Sequence, residues 1–206
     1  MGKIAANLKD EFGIHDNSTV ALFAPNHVDY IPICLATAIC GAKLTPINPQ
    51  YKAQELATIL KRSESSILIA HHSILDVALE AMKDAECVKH IVTIPEDDHL
   101  PVLHGTISLS SLKEHSNPYY QSSQKAHDNP STHPFLLPYS SGTTGLPKGV
   151  CLSHSNLVAN LLQLESLESL AFPSVRIQLI FDMLSQNLNL YSVLSLRFQL
   201  LNTFIL

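Results

Sequence analysis

The chain has 206 residues, of which 46% are hydrophobic and 15% charged, and its formal net charge is −5. This length suffices for one sizeable domain with its own core or for part of a larger one, and the composition is typical of a globular protein rather than a disordered one. The acidic balance, without any basic cluster, argues against nucleic acid as a partner. The four cysteines form no C-x-x-C pair and the eleven histidines are scattered, so we expect reduced thiols in an intracellular protein and no metal site.

Short apolar runs alternate with helical patterns through the first 94 residues. Met1 to Asp10 is an amphipathic start without the apolar segment of a signal peptide. Strands are predicted at 19–23, 43–47, 66–70 and 90–94, and helices at 27–40, 52–62 and 74–83. This alternation predicts an α/β fold built from βαβ crossovers, with a mainly parallel sheet and helices on both faces.

Three local features refine this prediction. Pro46 suggests that the second strand either lies at an edge of the sheet or ends there, and Gly41 is expected to stop the first of these helices. In that helix, Tyr30, Cys34, Leu35 and Ala38 are expected to share one face. Asn26 and His27 follow the first strand, where ligands gather in open α/β sheets, but we interpret them as a loop that caps the following helix.

Residues 95–134 are predicted to form a surface connection, with one helical piece at 108–115. The polar turn Asp97-Asp98-His99 is interpreted as solvated rather than catalytic. A strand at 134–139 is then expected to lead into the segment that carries the chemistry.

Residues 139–150 form that segment. Three of the chain's seven glycines fall between 142 and 149, together with serine and threonine hydroxyls and Lys148. Glycine lets backbone N–H groups turn to one side, hydroxyls add donors, and a lysine adds a charge suited to phosphate. The pattern predicts a loop that holds the phosphate tail of a nucleotide. The alternative is a polar hairpin loop between two strands.

The loop differs from a Walker P-loop, because Lys148 is followed by Gly149 and preceded by Pro147. It leads into an apolar strand at 150–152, which could run antiparallel to the strand before the loop. Ser153 or Ser155 could then cap a helix from 156 to about 170. His154 could donate to phosphate, but we favour a structural hydrogen bond that fixes the exit from the loop.

The stretch from Pro138 to Val150, followed by Ser153-His154-Ser155-Asn156-Leu157, resembles the phosphate-loop signature of the AMP-forming adenylating enzymes, in the branch of acyl-CoA synthetases, 4-coumarate–CoA ligases and luciferases. The resemblance implies part of the large N-terminal domain of such an enzyme and a cytoplasmic or peroxisomal location. The last residues, 203–206, do not form a peroxisomal tripeptide.

The resemblance further implies that a carboxylic acid is activated with ATP and Mg²⁺ to an acyl-adenylate and then transferred to coenzyme A. The residues that it places on the nucleotide are Ser140, Ser141, Gly142, Thr143, Thr144, Gly145 and Lys148.

Beyond about Leu170 the motif resemblance stops. The family's magnesium glutamate and adenylation lysine have no counterpart, so the catalytic residues stay unassigned and the domain at 1–170 is expected to be partial. Residues 171–206 form a divergent apolar tail with too many polar interruptions for a membrane span. The tail could be an amphipathic helix, an ill-packed segment or an interaction surface.

Our hypothesis is an N-terminal fragment of an acyl-CoA ligase with little or no activity alone. The alternatives are a non-catalytic ATP- or phosphate-binding or regulatory fragment, and a product without a stable fold.

Overall fold

A computed structural model describes residues 1–97, 103–114, 130–140 and 147–166. The helices are α1 Gly2–Asp10, α2 Tyr30–Ile39, α3 Ala53–Ser63, α4 Leu75–Met82, α5 Leu109–Lys113 and α6 His154–Ser166. The strands are β1 Thr19–Phe23, β2 Lys43–Ile47, β3 Ile67–His71, β4 His90–Ile94, β5 Ile107–Ser108, β6 Pro134–Leu136, β7 Tyr139–Ser140, β8 Lys148–Gly149 and β9 Leu152–Ser153. A 3₁₀ turn, His72–Ile74, precedes α4.

Most of the described strands form one sheet in the order β5-β4-β3-β1-β2-β6-β9. All neighbouring pairs in it are parallel except β6 and β9, which are antiparallel. The strands β7 and β8 pair with each other in a separate antiparallel ribbon. The predicted α/β class with a mainly parallel sheet is confirmed.

Two apolar clusters cover the two faces of the sheet. On one face, α1, α2 and α5 pack against residues such as Val20, Leu22 and Leu44. On the other, α3 and α4 pack against Phe23, Leu68 and neighbouring side chains. Because successive residues of a strand point to opposite faces, fully buried strands such as β1 and β3 supply both clusters at once. Helices on both faces were predicted and are confirmed.

Several element boundaries differ from the predicted ones. The helix α2 begins at Tyr30 rather than at residue 27, because His27 and the next two residues form a turn in which the Tyr30 N–H donates to the His27 carbonyl. Gly41, at φ +75°, follows the end of α2, where a left-handed residue is needed, as predicted. Leu35 was expected on the buried face of this helix, but its side chain is 43% exposed.

The strand β2 lies inside the sheet, between β1 and β6, so the edge position suggested by Pro46 is wrong and the strand-end alternative holds. The Lys43 N–H donates to Ser18 on the β1 side, so the alternating pattern points the nitrogen of Pro46 towards β6. Pairing between β2 and β6 is confined to Leu44 and Leu136. A proline nitrogen two residues later therefore interrupts no ladder bond on that side.

Part of the predicted surface connection is integral to the fold. β5 extends the sheet beside β4, and α5 buries Leu109 and Leu112 in the first cluster. No helix of the described residues is long and apolar enough to cross a membrane. The apolar tail at 171–206 lies outside the described residues, so the predictions made for it stay predictions.

Candidate functional site

The candidate loop is enclosed by the β7–β8 ribbon. Tyr139 pairs with Gly149 and Ser140 pairs with Lys148, so the backbone on the two sides of the loop is held together. A further bond, from the Val150 N–H to the Pro138 carbonyl at 2.8 Å, extends this pairing. The predicted antiparallel arrangement is confirmed, both in the β7–β8 ribbon and between β6 and β9. The predicted strand at 150–152 is wrong in its bounds, because Val150 and Cys151 lie between β8 and β9 and belong to neither strand.

The ribbon is attached to the carboxyl edge of the main sheet. The chain enters β7 directly from β6, which runs parallel to β2. Just after β6, the Leu137 N–H donates to the carbonyl of Leu44 in β2 at 2.8 Å. Since the carboxyl edge of parallel strands is the edge where open α/β sheets bind ligands, the loop starts from a suitable place.

Lys148 is exposed. Strand alternation puts neighbouring residues on opposite faces of the ribbon, so Lys148 lies on the face opposite to that of Gly149 and its partner Tyr139. Residues 141–145, which supply the remaining predicted nucleotide contacts, lie outside the described residues. The structure thus brings the two ends of the predicted site, Ser140 and Lys148, to paired positions.

On the buried face of the ribbon, the Tyr139 ring lies against Gly149. A Cβ atom added at Gly149 would stand 3.0 Å from Cζ of Tyr139 and 3.3 Å from Cδ1 of Leu137. Burial raises the pKa of Tyr139 above its usual range; Arg62 opposes this shift and Glu64 adds to it. This contact was not predicted from the sequence. Its signal was a glycine opposite an aromatic residue across the loop, which becomes visible only once the register is known.

The exit from the loop is fixed by rings and by a reciprocal helix cap. His154 stacks on His133 and Phe135, with ring centroids 5.5 Å and 5.1 Å apart. His133 Nε2 lies 2.9 Å from the Gly41 carbonyl oxygen, which ties this stack to the turn after α2. The His154 N–H also donates to the His133 carbonyl at 3.4 Å, and this bond together with the ring stacking agrees with the structural role that we favoured for His154.

Of the two serines considered as caps of α6, Ser153 has that role. Its Oγ accepts the Asn156 N–H at 3.2 Å, and its own N–H donates to Asn156 Oδ1 at 3.0 Å. Such a reciprocal pair satisfies two backbone donors at the start of a helix. Ser155 instead places its Oγ 3.2 Å from that of Ser131.

A second group of polar residues lies at the carboxyl ends of β1 and β3, and its side chains accept hydrogen bonds from backbone N–H groups. His27 Nδ1 accepts the Asp29 N–H at 3.2 Å, and His71 Nδ1 accepts the Ser73 N–H at 3.2 Å. The two rings lie 5.4 Å apart, and Asp29 accepts a hydrogen bond from Lys113 at 2.8 Å. The interpretation of His27 as part of a helix-capping loop agrees with these contacts.

The buried cysteines are poor candidates for nucleophiles. Burial raises the pKa of Cys34 to about 12, and burial likewise raises the pKa of Cys40 to about 11 against the opposing effect of Lys9. Since the thiolate is the nucleophilic form, both remain thiols at neutral pH.

Comparison with known proteins decides the family. The model of the AMP-binding enzyme family matches residues 1–204 of the chain. The chain belongs to the AMP-binding enzyme family. The match continues past residue 170, so it also aligns with the segment in which we found no motif resemblance.

Named relatives agree with this assignment. The chain is 32% identical to 4-coumarate–CoA ligase 1 of Arabidopsis thaliana over 161 residues, which are 78% of the chain and 28% of that protein. It is 32% identical to the sulfoacetate–CoA ligase of Cupriavidus necator over 149 residues, covering 72% and 27% of the two chains. A crystal structure of a long-chain-fatty-acid–CoA ligase from Archaeoglobus fulgidus superimposes with a TM-score of 0.70 at 27% identity, covering 89% of the chain and 36% of that protein.

The chain therefore spans between about a quarter and somewhat over a third of the length of these relatives. The predicted α/β fold of an adenylating-enzyme N-terminal domain and the predicted family are both confirmed. The names of these relatives describe CoA ligases.

Proposed function

We propose that this chain carries the phosphate-binding part of an AMP-forming acid–thiol ligase. The observation that carries the proposal is the β7–β8 pairing, which sets Ser140 opposite Lys148 at the two ends of a glycine- and hydroxyl-rich segment. Hydroxyls, backbone N–H groups and an ammonium group are all donors, and this donor set fits the oxygens of a nucleotide's phosphates. The nucleotide contacts would come from Ser140, Ser141, Gly142, Thr143, Thr144, Gly145 and Lys148.

The reaction has two steps in this proposal. A carboxylate oxygen of the acid attacks the α-phosphorus of ATP, and the bond from that phosphorus to the pyrophosphate oxygen breaks. The thiol of coenzyme A then attacks the acyl carbon, loses its proton to solvent and displaces AMP. The loop would hold the β- and γ-phosphates in line with the attacking oxygen, and Lys148 would offset the charge that builds up on pyrophosphate.

Magnesium fits the nucleotide better than it fits the loop's own donors. Mg²⁺ prefers oxygen ligands that include carboxylates and substrate phosphates. The loop offers hydroxyls and an ammonium group, and no group of three His, Cys, Asp or Glu side chains arranged for a metal occurs among the described residues. When bound with ATP, Mg²⁺ would neutralise part of the phosphate charge. The protein's contribution on this side is the positioning of the phosphates.

We propose a carboxylic acid as the substrate class. The relatives are named as ligases of 4-coumarate, sulfoacetate and long-chain fatty acids, which differ in size and polarity. Their common part is the carboxylate that is activated.

The second candidate function is a non-catalytic ATP-binding or regulatory role. It is favoured by the absence of sequence counterparts for the family's magnesium glutamate and adenylation lysine.

Calorimetric titration of the 206-residue chain with Mg-ATP tests the proposed phosphate site. We expect saturable binding that weakens about 10- to 100-fold in Lys148→Ala, the scale of losing one charge-assisted hydrogen bond. The matched control is Lys89→Ala, an exposed lysine immediately before β4, at the opposite, amino edge of the sheet. Equal affinity in wild type and Lys148→Ala, or equal weakening in both variants, would reject the assignment of Lys148.

A further inference from the structure

The face of the ribbon that lies against the core holds a contact that no nucleotide role explains. Tyr139 is 6% exposed, although its strand partner Gly149 and the neighbouring Lys148 are exposed. Its ring crosses to the partner strand and lies where a side chain at Gly149 would otherwise be. We propose that Tyr139 is the positioning residue of this site: its ring, packed on Gly149, sets where the strand carrying Lys148 stands. This inference rests on the proposed function of Lys148.

The ring is anchored on its inner side. Tyr139 and Leu137 belong to the apolar cluster that α3 and α4 form on the sheet. The charges that affect the Tyr139 hydroxyl, Arg62 and Glu64, come from the end of α3 and the residue after it. The ring is therefore held by an apolar cluster of helices on the sheet, and elements of this kind fix a functional group more closely than a loop does.

On its outer side, the Tyr139 ring contacts one residue of β8, Gly149. Gly149 pairs directly with Tyr139, and a Cβ there would approach the ring to 3.0–3.2 Å, closer than ordinary contacts allow. An aromatic ring over a glycine on a neighbouring strand is a known way to pin the register of a sheet. A glycine at 149 thus lets the ring press directly on the backbone next to Lys148.

The ribbon needs such an anchor. Each of its strands has two residues, and an isolated two-stranded hairpin is marginally stable in water. Strand alternation directs the Lys148 side chain to the face opposite the Tyr139 ring. The contact between the Tyr139 ring and Gly149 therefore fixes the position of the backbone at Lys148. The ring does not occupy the space around the lysine's charge, because it lies on the other face of the ribbon.

The test is a double-mutant cycle on the 206-residue chain, with Mg-ATP affinity as the first readout. Tyr139→Leu is expected to weaken binding by ~10-fold or more, since displacement of a positioned group by about 1 Å can cost up to 10²-fold. Gly149→Ala is expected to weaken binding because the new methyl group pushes on the ring. The loss of binding free energy in the double variant is expected to be smaller than the sum of the losses in the two single variants, because leucine at position 139 leaves room for the methyl group of alanine at position 149. Tyr139→Phe, which keeps the ring, is expected to bind as wild type does.

Two controls separate positioning from general damage to the core. Tyr51→Leu removes a half-buried ring from the same apolar cluster, and Gly2→Ala adds a methyl group where no atom lies within 4 Å. Both are expected to leave Mg-ATP affinity unchanged. Equal weakening by Tyr51→Leu and Tyr139→Leu, or strictly additive losses in the cycle, would overturn the proposal. If Tyr139→Leu fails to fold, Gly149→Ala against Gly2→Ala decides, and unchanged affinity in Gly149→Ala overturns the proposal.

The second readout does not depend on the nucleotide. In the wild-type chain, the ring should shift the Gly149 Hα resonances upfield, and the Lys148 amide should exchange slowly with solvent. Tyr139→Leu is expected to abolish the shift and speed the exchange, whereas Tyr139→Phe preserves both. If the wild-type chain fails to bind Mg-ATP, the proposed function fails, and this readout still decides the positioning role. Unchanged resonances and exchange in Tyr139→Leu would then overturn it.

Discussion

At the scale of single residues, the two proposed roles belong to residues on opposite faces of the β7–β8 ribbon. Lys148 projects towards solvent, where a phosphate could reach it, and Tyr139 lies against the core. The role proposed for Lys148 was inferred from sequence because the donors around it are neighbours along the chain, and it stays a prediction. The contact between Tyr139 and Gly149 could not be inferred in this way, because it joins residues ten positions apart and depends on their register.

His71 gives a test of residue chemistry at the carboxyl edge of the sheet. Its Nδ1 accepts the Ser73 N–H and starts the 3₁₀ turn before α4. Burial lowers the pKa of His71, and the neighbouring His27 and His72 lower it further, against the opposing effect of Glu96. The folded chain therefore binds fewer protons at this site than the unfolded chain does, whose histidines titrate near ~6.5.

The contribution of His71 to stability is present above pH ~6.5 and is lost as the pH falls from there through its lowered folded pKa. His71→Asn keeps an acceptor for the Ser73 N–H without a titrating group. Urea unfolding at pH 7.5 and pH 5.5 should show a smaller loss of stability in the variant than in wild type. An identical loss in both proteins would contradict this explanation.

At the scale of elements, β1, β2 and β4 were predicted at their observed bounds because buried parallel strands have continuous apolar sequences. The edge strand β5 was not predicted, since two residues carry too little pattern to be recognised. The short helix α5 was predicted only as a helical piece. Its integration into the core depends on Leu109 and Leu112 meeting α1, a contact between distant parts of the chain.

Asn7 makes the contact between α1 and α5 testable. Its side chain is buried, and Nδ2 donates to the Leu112 carbonyl at 2.8 Å. Asn7→Ala leaves a buried carbonyl without this donor, so the free energy of unfolding should fall by about 1–3 kcal/mol. The control Asn17→Ala, at an exposed position, should change it by less than about 0.5 kcal/mol. Equal urea midpoints for the two variants would show that this hydrogen bond does not secure α5.

At the scale of the whole molecule, the order of the strands explains why helices cover both faces of the sheet: the chain moves in one direction from β1 to β2 and in the other from β3 to β4, and right-handed crossovers in opposite directions lie on opposite faces. α2 connects β1 to β2 on one side, and α4 connects β3 to β4 on the other, although β1 and β3 are neighbours. Sequence predicted the alternation of strands and helices, but not this order, because the pairing of distant strands is set by packing of the whole sheet. The family could be predicted because its signature is continuous in the sequence.

The chain's span relative to its relatives leads to a prediction about catalysis. The chain covers 28% of the Arabidopsis ligase, and we assigned none of its residues to the family's magnesium glutamate or adenylation lysine. We expect no exchange of labelled pyrophosphate into ATP by the 206-residue chain with any of a panel of carboxylic acids. Exchange above the background of Lys148→Ala would instead support a catalytic role for the chain alone.

The central claim is that the segment between β7 and β8 binds the phosphates of ATP. Hydrogen–deuterium exchange of the 206-residue chain, with and without Mg-ATP, tests it most directly because it reports where the nucleotide binds. We predict that Mg-ATP slows exchange in peptides covering residues 139–150 of the wild-type chain, and that this slowing is lost in Lys148→Ala. Slowed exchange elsewhere without any change at 139–150, or undiminished slowing in Lys148→Ala, would contradict the claim.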